Sequence, residues 1–155
     1  MLELPHAAVG AAIAAKIPNP AIALPLAFAS HFVLDTLPHW NPHFFTETQK
    51  LGSPSKKSTQ FAMTEFTIAT LVLTVIAFTA GQPSMGKVAL IFAGGVAGML
   101  PDLAKIPYFF FKKRAGYYKK YVLWERSIQN DTSMWPGILT QLGIFLAAIL
   151  WIIAV

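Results

Sequence analysis

Cysteine is absent from the 155 residues, which excludes both a disulfide framework and a thiolate metal site. Any metal must therefore be held by histidine and carboxylate. Charge is scarce: Asp, Glu, Lys and Arg make up 12% of the chain, about half the share of a soluble domain, against 55% hydrophobic residues. Such a chain is poorly suited to water. The stretch from Met1 to Gly10 holds Glu3 and His6 but no basic n-region, so a cleaved secretory signal is not expected. No Ser-His-Asp set and no Cys-His pair occurs, and Gly94, Gly95 and Gly98 lie inside an apolar run instead of following a strand as a phosphate loop does.

What is present is a series of long apolar runs, and their spacing predicts an all-α integral membrane bundle of four to five apolar helices in a single domain, 1–155. The first run, about 6–17, is broken by Pro18, Asn19 and Pro20 and resumes over 20–37 as the second arm of a hairpin. At about 11 apolar residues the first arm is too short to cross a hydrocarbon core of ~30 Å, so it reads as a short, re-entrant helix whose alanines and Gly10 let backbones approach. A polar, turn-rich loop follows over 39–60. Spans are expected at 61–80, 87–103 and 135–155, the last capped by Asp131, Thr132 or Ser133 with Pro136 in its first turn.

The segment 105–126 mixes Tyr108, Phe109, Phe110, Phe111, Tyr117, Tyr118, Tyr121 and Trp124 with seven basic residues, and reads as interfacial. Ten of the twelve basic residues fall in this segment or between Lys50 and Lys57, two loops separated by two spans. They share one side, which the positive-inside rule makes cytoplasmic in a plasma or inner membrane. Lys112, Lys113, Arg114, Lys119 and Lys120 are then expected to meet anionic lipid headgroups, not nucleic acid.

The same folding gathers the acidic residues and histidines at that face. His6 begins the first arm, His31, Asp35 and His39 close the second, Glu65 opens the third helix, Asp102 ends the fourth and Asp131 precedes the last. His31 and Asp35 are four apart, which on a helix puts both side chains on one face, one turn apart, as a bidentate metal site requires. Ionisable groups inside a bundle are costly, so several together point to function. Lone histidines such as His6 and His43, neither of which has a spaced partner, are more simply interfacial hydrogen-bonders, and Glu65 and Asp131 are also favoured by the helix macrodipole.

The stretches LPHAAVGAAIAAK, LAFASHFVLDTLPHWNPH and GGVAGMLPDL resemble the small membrane-bound metal-dependent hydrolases, a group related to the LexA-regulated inner-membrane hydrolases. The recurring His, His-x-x-x-Asp with Pro-His, and Leu-Pro-Asp of that group match His6, His31, Asp35, Pro38, His39, Pro101 and Asp102. Larger members read Pro-Asp-x-Asp-His where this chain has Pro101, Asp102, Leu103, Ala104 and Lys105, and a later His-Arg-x-x-Thr-His has no counterpart. The resemblance thus speaks more for a metal than for a complete hydrolytic site.

Together these readings lead to a zinc or similar divalent ion held by His31, Asp35 and Asp102, with His6 or His39 completing the shell and Glu65 as the candidate general base. An ester or phosphoester in a lipid headgroup is the expected substrate. Two other readings use the same residues: a non-catalytic scaffold or lipid-binding protein with a hydrogen-bonded polar plug, and a small ion- or proton-coupled transporter.

Overall fold

Prolines and capping side chains divide the chain into helices, and in the computed structural model, which describes residues 1–154, eight are formed. These are α1 (Glu3–Lys16), α2 (Pro20–Asp35), α3 (Phe44–Leu51), α4 (Lys56–Gly81), α5 (Met85–Leu103), α6 (Ile106–Phe109), α7 (Gly116–Ile128) and α8 (Met134–Ile153). The protein is all-α. Three helical stretches, α4, α5 running on through α6, and α8, are long and apolar enough to cross a membrane. Their outward faces carry Leu71, Val75, Leu139, Leu150 and Ile153, all exposed, so lipid is the solvent these surfaces suit.

The central element, α1, is shorter than each of the apolar helices around it. At 14 residues, or about 21 Å at 1.5 Å per residue, α1 packs against α2, α4, α5 and α8 at once. It can do so because Ala7, Ala8, Gly10, Ala11, Ala12 and Ala14 are buried around its circumference and none projects far. Against α5 the backbones nearly touch. A Cβ placed on Gly98 would lie 2.4 Å from the His6 carbonyl oxygen, so glycine there allows the close crossing that carries His6 toward α5. Leu73 of α4 and Ile91 of α5 fill the remaining core with Met99.

Several boundaries differ from the sequence reading, each for a local reason. The segment 39–60 is not all loop, because Phe44 and Phe45 anchor α3 against the aromatic residues of α6 and α7, and Gly52 at φ +81° ends it. Then α4 begins at Lys56, not 61, since the Ser55 hydroxyl accepts the Ser58 N–H and caps it. Asn19 likewise caps α2 by accepting the Ala21 N–H, whereas Ser133 precedes α8 without a side-chain cap bond and Asp131 instead pairs with Arg126. The interfacial segment is two helices, α6 and α7, separated by Lys112 at φ +55°. Arg114 reaches from this turn to the Gly52 carbonyl at 2.6 Å, so both basic loops lie at one end of the bundle.

Candidate metal centre

Four buried side chains and one partly buried carboxylate meet at that end. His6 comes from the first turns of α1, His31 and Asp35 from the last of α2, His39 from just beyond it, and Asp102 from the last turn of α5. His6, His31, Asp35 and His39 have no exposed surface, while 15% of the Asp102 side chain is exposed. The chain around them is pinned by backbone bonds. Asn130 N–H donates to the Asp35 carbonyl, His39 N–H to that of Asn130, and Thr132 N–H to that of His39. This ties the end of α2 to the start of α8.

The His6 and His31 rings stack with centroids 3.8 Å apart, so their Nε2 atoms address the same carboxylates. His6 Nε2 lies 3.3 Å from Asp35 Oδ1, and His31 Nε2 lies 3.3 Å from Asp35 Oδ2 and 3.5 Å from Asp102 Oδ1. None of these approaches has hydrogen-bond geometry: both His6 nitrogens and His31 Nε2 are buried without a hydrogen-bond partner, and Asp102 Oδ1 is met by the Lys105 ammonium alone. A buried polar atom so left costs about 1–3 kcal/mol. The spacing is informative, because ligands held about 2.0–2.1 Å from a tetrahedral ion lie about 3.3 Å from one another.

The ring orientations point the same way. His31 Nδ1 donates to the Gly98 carbonyl at 2.9 Å, which turns Nε2 toward two carboxylates, the arrangement typical of metal-ligating histidines. His39 Nδ1 bonds the Leu37 carbonyl in the same manner, but its Nε2 accepts from Asn41 Nδ2 at 3.3 Å and is 3.9 Å from Asp35 Oδ1. Burial, then the nearby terminal ammonium, holds the His39 imidazole below its ordinary pKa. Of the two histidines left open by the sequence, His6 is the better placed. His6, His31 and Asp102, and in a second grouping His31, Asp35, Asp102 and Glu125, bring ligand atoms within 4.8 Å of one another, and both donor sets fit a divalent ion of the zinc, manganese or iron type.

Other groups around the cluster escape the sequence reading. The Met1 α-amino group ion-pairs with Asp35 at 2.5 Å, and an ion between the histidines would compete with it. Lys105, read as an interfacial cation, instead turns inward to pair with both Asp102 and Glu125. Burial raises the Glu125 carboxyl above the usual carboxylate range, with Lys105 pulling against it. Gln129 donates to Glu125 and reaches Asp35 Oδ2 at 3.5 Å. Gln141 of α8 accepts the Leu2 N–H at 2.7 Å and donates to the Trp40 carbonyl at 2.9 Å, holding the start of α1 in place. Its signal was a lone amide inside an apolar run.

Glu65 lies beside this cluster but is already engaged. Its two oxygens accept the N–H groups of Glu3 and Leu4 at 3.1 and 2.9 Å, so it serves as the acceptor for the open N-terminal end of α1. A carboxylate has further lone pairs, and Glu65 keeps room to accept a proton. It lines a cavity of about 380 Å³ that also reaches Asp102, the partly exposed member of the cluster. Of the basic residues assigned to lipid, Lys112, Lys113, Lys119 and Lys120 are exposed, whereas Arg114 is bound to Gly52 and stacks on Tyr108. Comparison with models of known families, with curated proteins and with solved structures yields no match.

Proposed function

We propose that this protein is a metal-dependent hydrolase working at one face of a membrane on an ester or phosphoester of a lipid headgroup. The observation that carries the reading is that the unpartnered Nε2 atoms of His6 and His31 lie 3.3 to 3.5 Å from carboxylate oxygens of Asp35 and Asp102, close to the spacing between neighbouring ligands of a tetrahedral ion. His31 and Asp102, common to both donor groups, would hold the ion together with His6 or with Asp35 and Glu125, and the bound ion would supply Lewis-acid activation of water and of the substrate oxygen. The Gly98 carbonyl orients the His31 ring. Asp35 bridges the two histidines, and Lys105 orients Asp102 from outside the shell. Glu65, facing the cavity next to Asp102, is the proton acceptor.

The scaffold reading has its own support. The Met1 ammonium and Lys105 already answer Asp35 and Asp102, so the cluster would also be stable as a polar plug. Metal content decides between the two. Detergent-purified protein is expected to carry close to one zinc, manganese or iron per chain, and metal-free protein that hydrolyses no ester would leave the plug.

In this reading α1 is a half-span buried among its neighbours, α2 a fourth crossing, and the basic loops are cytoplasmic. Single cysteines at Ser55 and Ala115 are then expected to escape a membrane-impermeant thiol reagent in intact cells, while one at Ser84 labels. Equal labelling at Ser55 and Ser84 would refute this topology. With no native cysteine the background is clean.

Lipid contact follows from the exposed cations. Each lysine near an anionic surface contributes about 1 kcal/mol, so replacing Lys112, Lys113, Lys119 and Lys120 by Gln is expected to reduce co-purified anionic lipid severalfold, as high salt does. Arg114→Gln is expected to lower thermal stability instead, because it frees Gly52. Unchanged anionic lipid in the quadruple variant would assign membrane contact to the aromatic residues alone.

A further inference from the structure

The cavity beside Asp102 has two unlike ends. Its apolar walls come from Phe44 and Phe45 of α3, Met63 and Phe66 of α4, and Phe109 and Phe110 after α5. Phe44 meets Phe109 and Phe110 edge-on, with centroids 5.7 and 6.0 Å apart, so this wall is packed and not a loose surface patch. The polar end is formed by Glu3, Glu65, Asp102, Lys105 and Glu125.

Counting charges there leaves an imbalance. Lys105 is shared by Asp102 and Glu125, the ammonium of Met1, which also lines the cavity, is held by Asp35, and Arg126 at the cavity edge is held by Asp131. Among the described residues, neither Glu3 nor Glu65 has an ion-pair partner. Glu65 is answered by two backbone N–H groups, but Glu3 Oε2 is buried with no hydrogen-bond partner at all. A buried carboxylate oxygen of this kind calls for a donor, preferably a charged one. A phosphate or carboxylate placed against Glu3 and Glu65 would meet like charge.

We propose that this cavity binds a single-chain amphiphile whose head carries an ammonium group, with the chain among the phenylalanines and the ammonium at Glu3. The volume, about 380 Å³, lies at the small end of the roughly 300–1,000 Å³ of ligand sites, which suits one chain and not two. The binding site stands without a metal. That its occupant is the substrate rests on the proposed hydrolase, through Asp102, which belongs to both sites.

The test uses full-length protein in a non-ionic maltoside micelle and three probes of one chain length: octylamine, octanoate and octyl phosphate. Uptake is measured by equilibrium dialysis at neutral pH against protein-free micelles, and zinc content is read on the same samples. Wild-type protein is expected to take up octylamine saturably, with octanoate and octyl phosphate roughly tenfold weaker or more. Glu3→Gln, which is isosteric, is expected to cut octylamine affinity about tenfold at unchanged zinc content. Ala62→Trp fills the cavity and is expected to abolish uptake. Equal uptake of the three probes overturns the proposal, as does octylamine uptake that survives both substitutions in variants that melt as wild type. Absent zinc with intact octylamine uptake removes the hydrolase and keeps the cavity, whereas bound zinc without octylamine uptake does the reverse.

Discussion

Asp35→Asn protein is expected to lose stoichiometric metal and, with it, the thermal stabilisation that zinc gives the wild type. Asp35 is the carboxylate that comes within 4 Å of both His6 and His31, through Oδ1 and Oδ2 respectively, at 3.3 Å from each Nε2. An amide in its place offers one neutral oxygen, and its NH₂ must turn toward one of the two imidazoles. Removing a charged ligand is expected to weaken binding by more than the 10–100-fold typical of losing a partner outside the shell. At a metal concentration about 100 times the dissociation constant, binding stabilises the folded state by about 2.7 kcal/mol, or roughly 5–10 °C for a chain of this length. His39→Gln should behave differently, because His39 Nε2 is engaged by Asn41 and stands 3.9 Å from Asp35, so metal is expected to remain. Metal analysis and melting curves with and without zinc read both variants. Wild-type protein that holds no transition metal and melts unchanged when zinc or manganese is added would overturn the metal reading.

The pair at the centre of that prediction was legible because its information is local. Four residues separate His31 from Asp35, and helical periodicity alone puts them on one face. The break at Pro18, Asn19 and Pro20 was local too, and so were the long apolar runs that became α4, α5 and α8. What could not be read was how residues with ambiguous local roles would be used. Lys105 and Glu125 lie in a segment whose charges look interfacial, and only the meeting of α5 with α7 turns them inward to each other. Glu65 has the pattern of a functional acid in a span, yet its oxygens are used to terminate α1, a role fixed by a contact 61 residues away in sequence. The helix α3 was hidden for the opposite reason. Its eight residues are mostly polar, and it is the tertiary contact of Phe44 and Phe45 with the aromatic residues of α6 and α7 that holds them in place.

The closeness of α1 and α5 leads to the largest expected effect on folding. A Cβ on Gly94 would stand 2.4 Å from the Ala14 Cβ and 2.6 Å from the Gly10 carbonyl oxygen, and one on Gly10 would stand 2.3 Å from the Gly94 carbonyl oxygen. These neighbours are backbone, or a Cβ fixed to it, so no rotamer change relieves the overlap and the helices must separate. Overpacking a core that can adjust costs about 1–3 kcal/mol, and here adjustment means withdrawing α1 from its place among four other helices. His6 would move with it, away from Asp35 and Asp102. Gly94→Leu is therefore expected to abolish a monodisperse folded species in detergent, and Gly94→Ala to melt several degrees lower and bind metal more weakly. Gly143 in α8 supplies the contrast, because a Cβ there meets nothing within 4 Å. Gly143→Leu is expected to be neutral or slightly stabilising, since glycine within a helix costs about 1 kcal/mol relative to alanine and the new side chain faces lipid. Size-exclusion profiles and melting curves of the two leucine variants decide the matter. Equal stability of Gly94→Leu and Gly143→Leu would mean that α1 does not pack where the metal ligands need it.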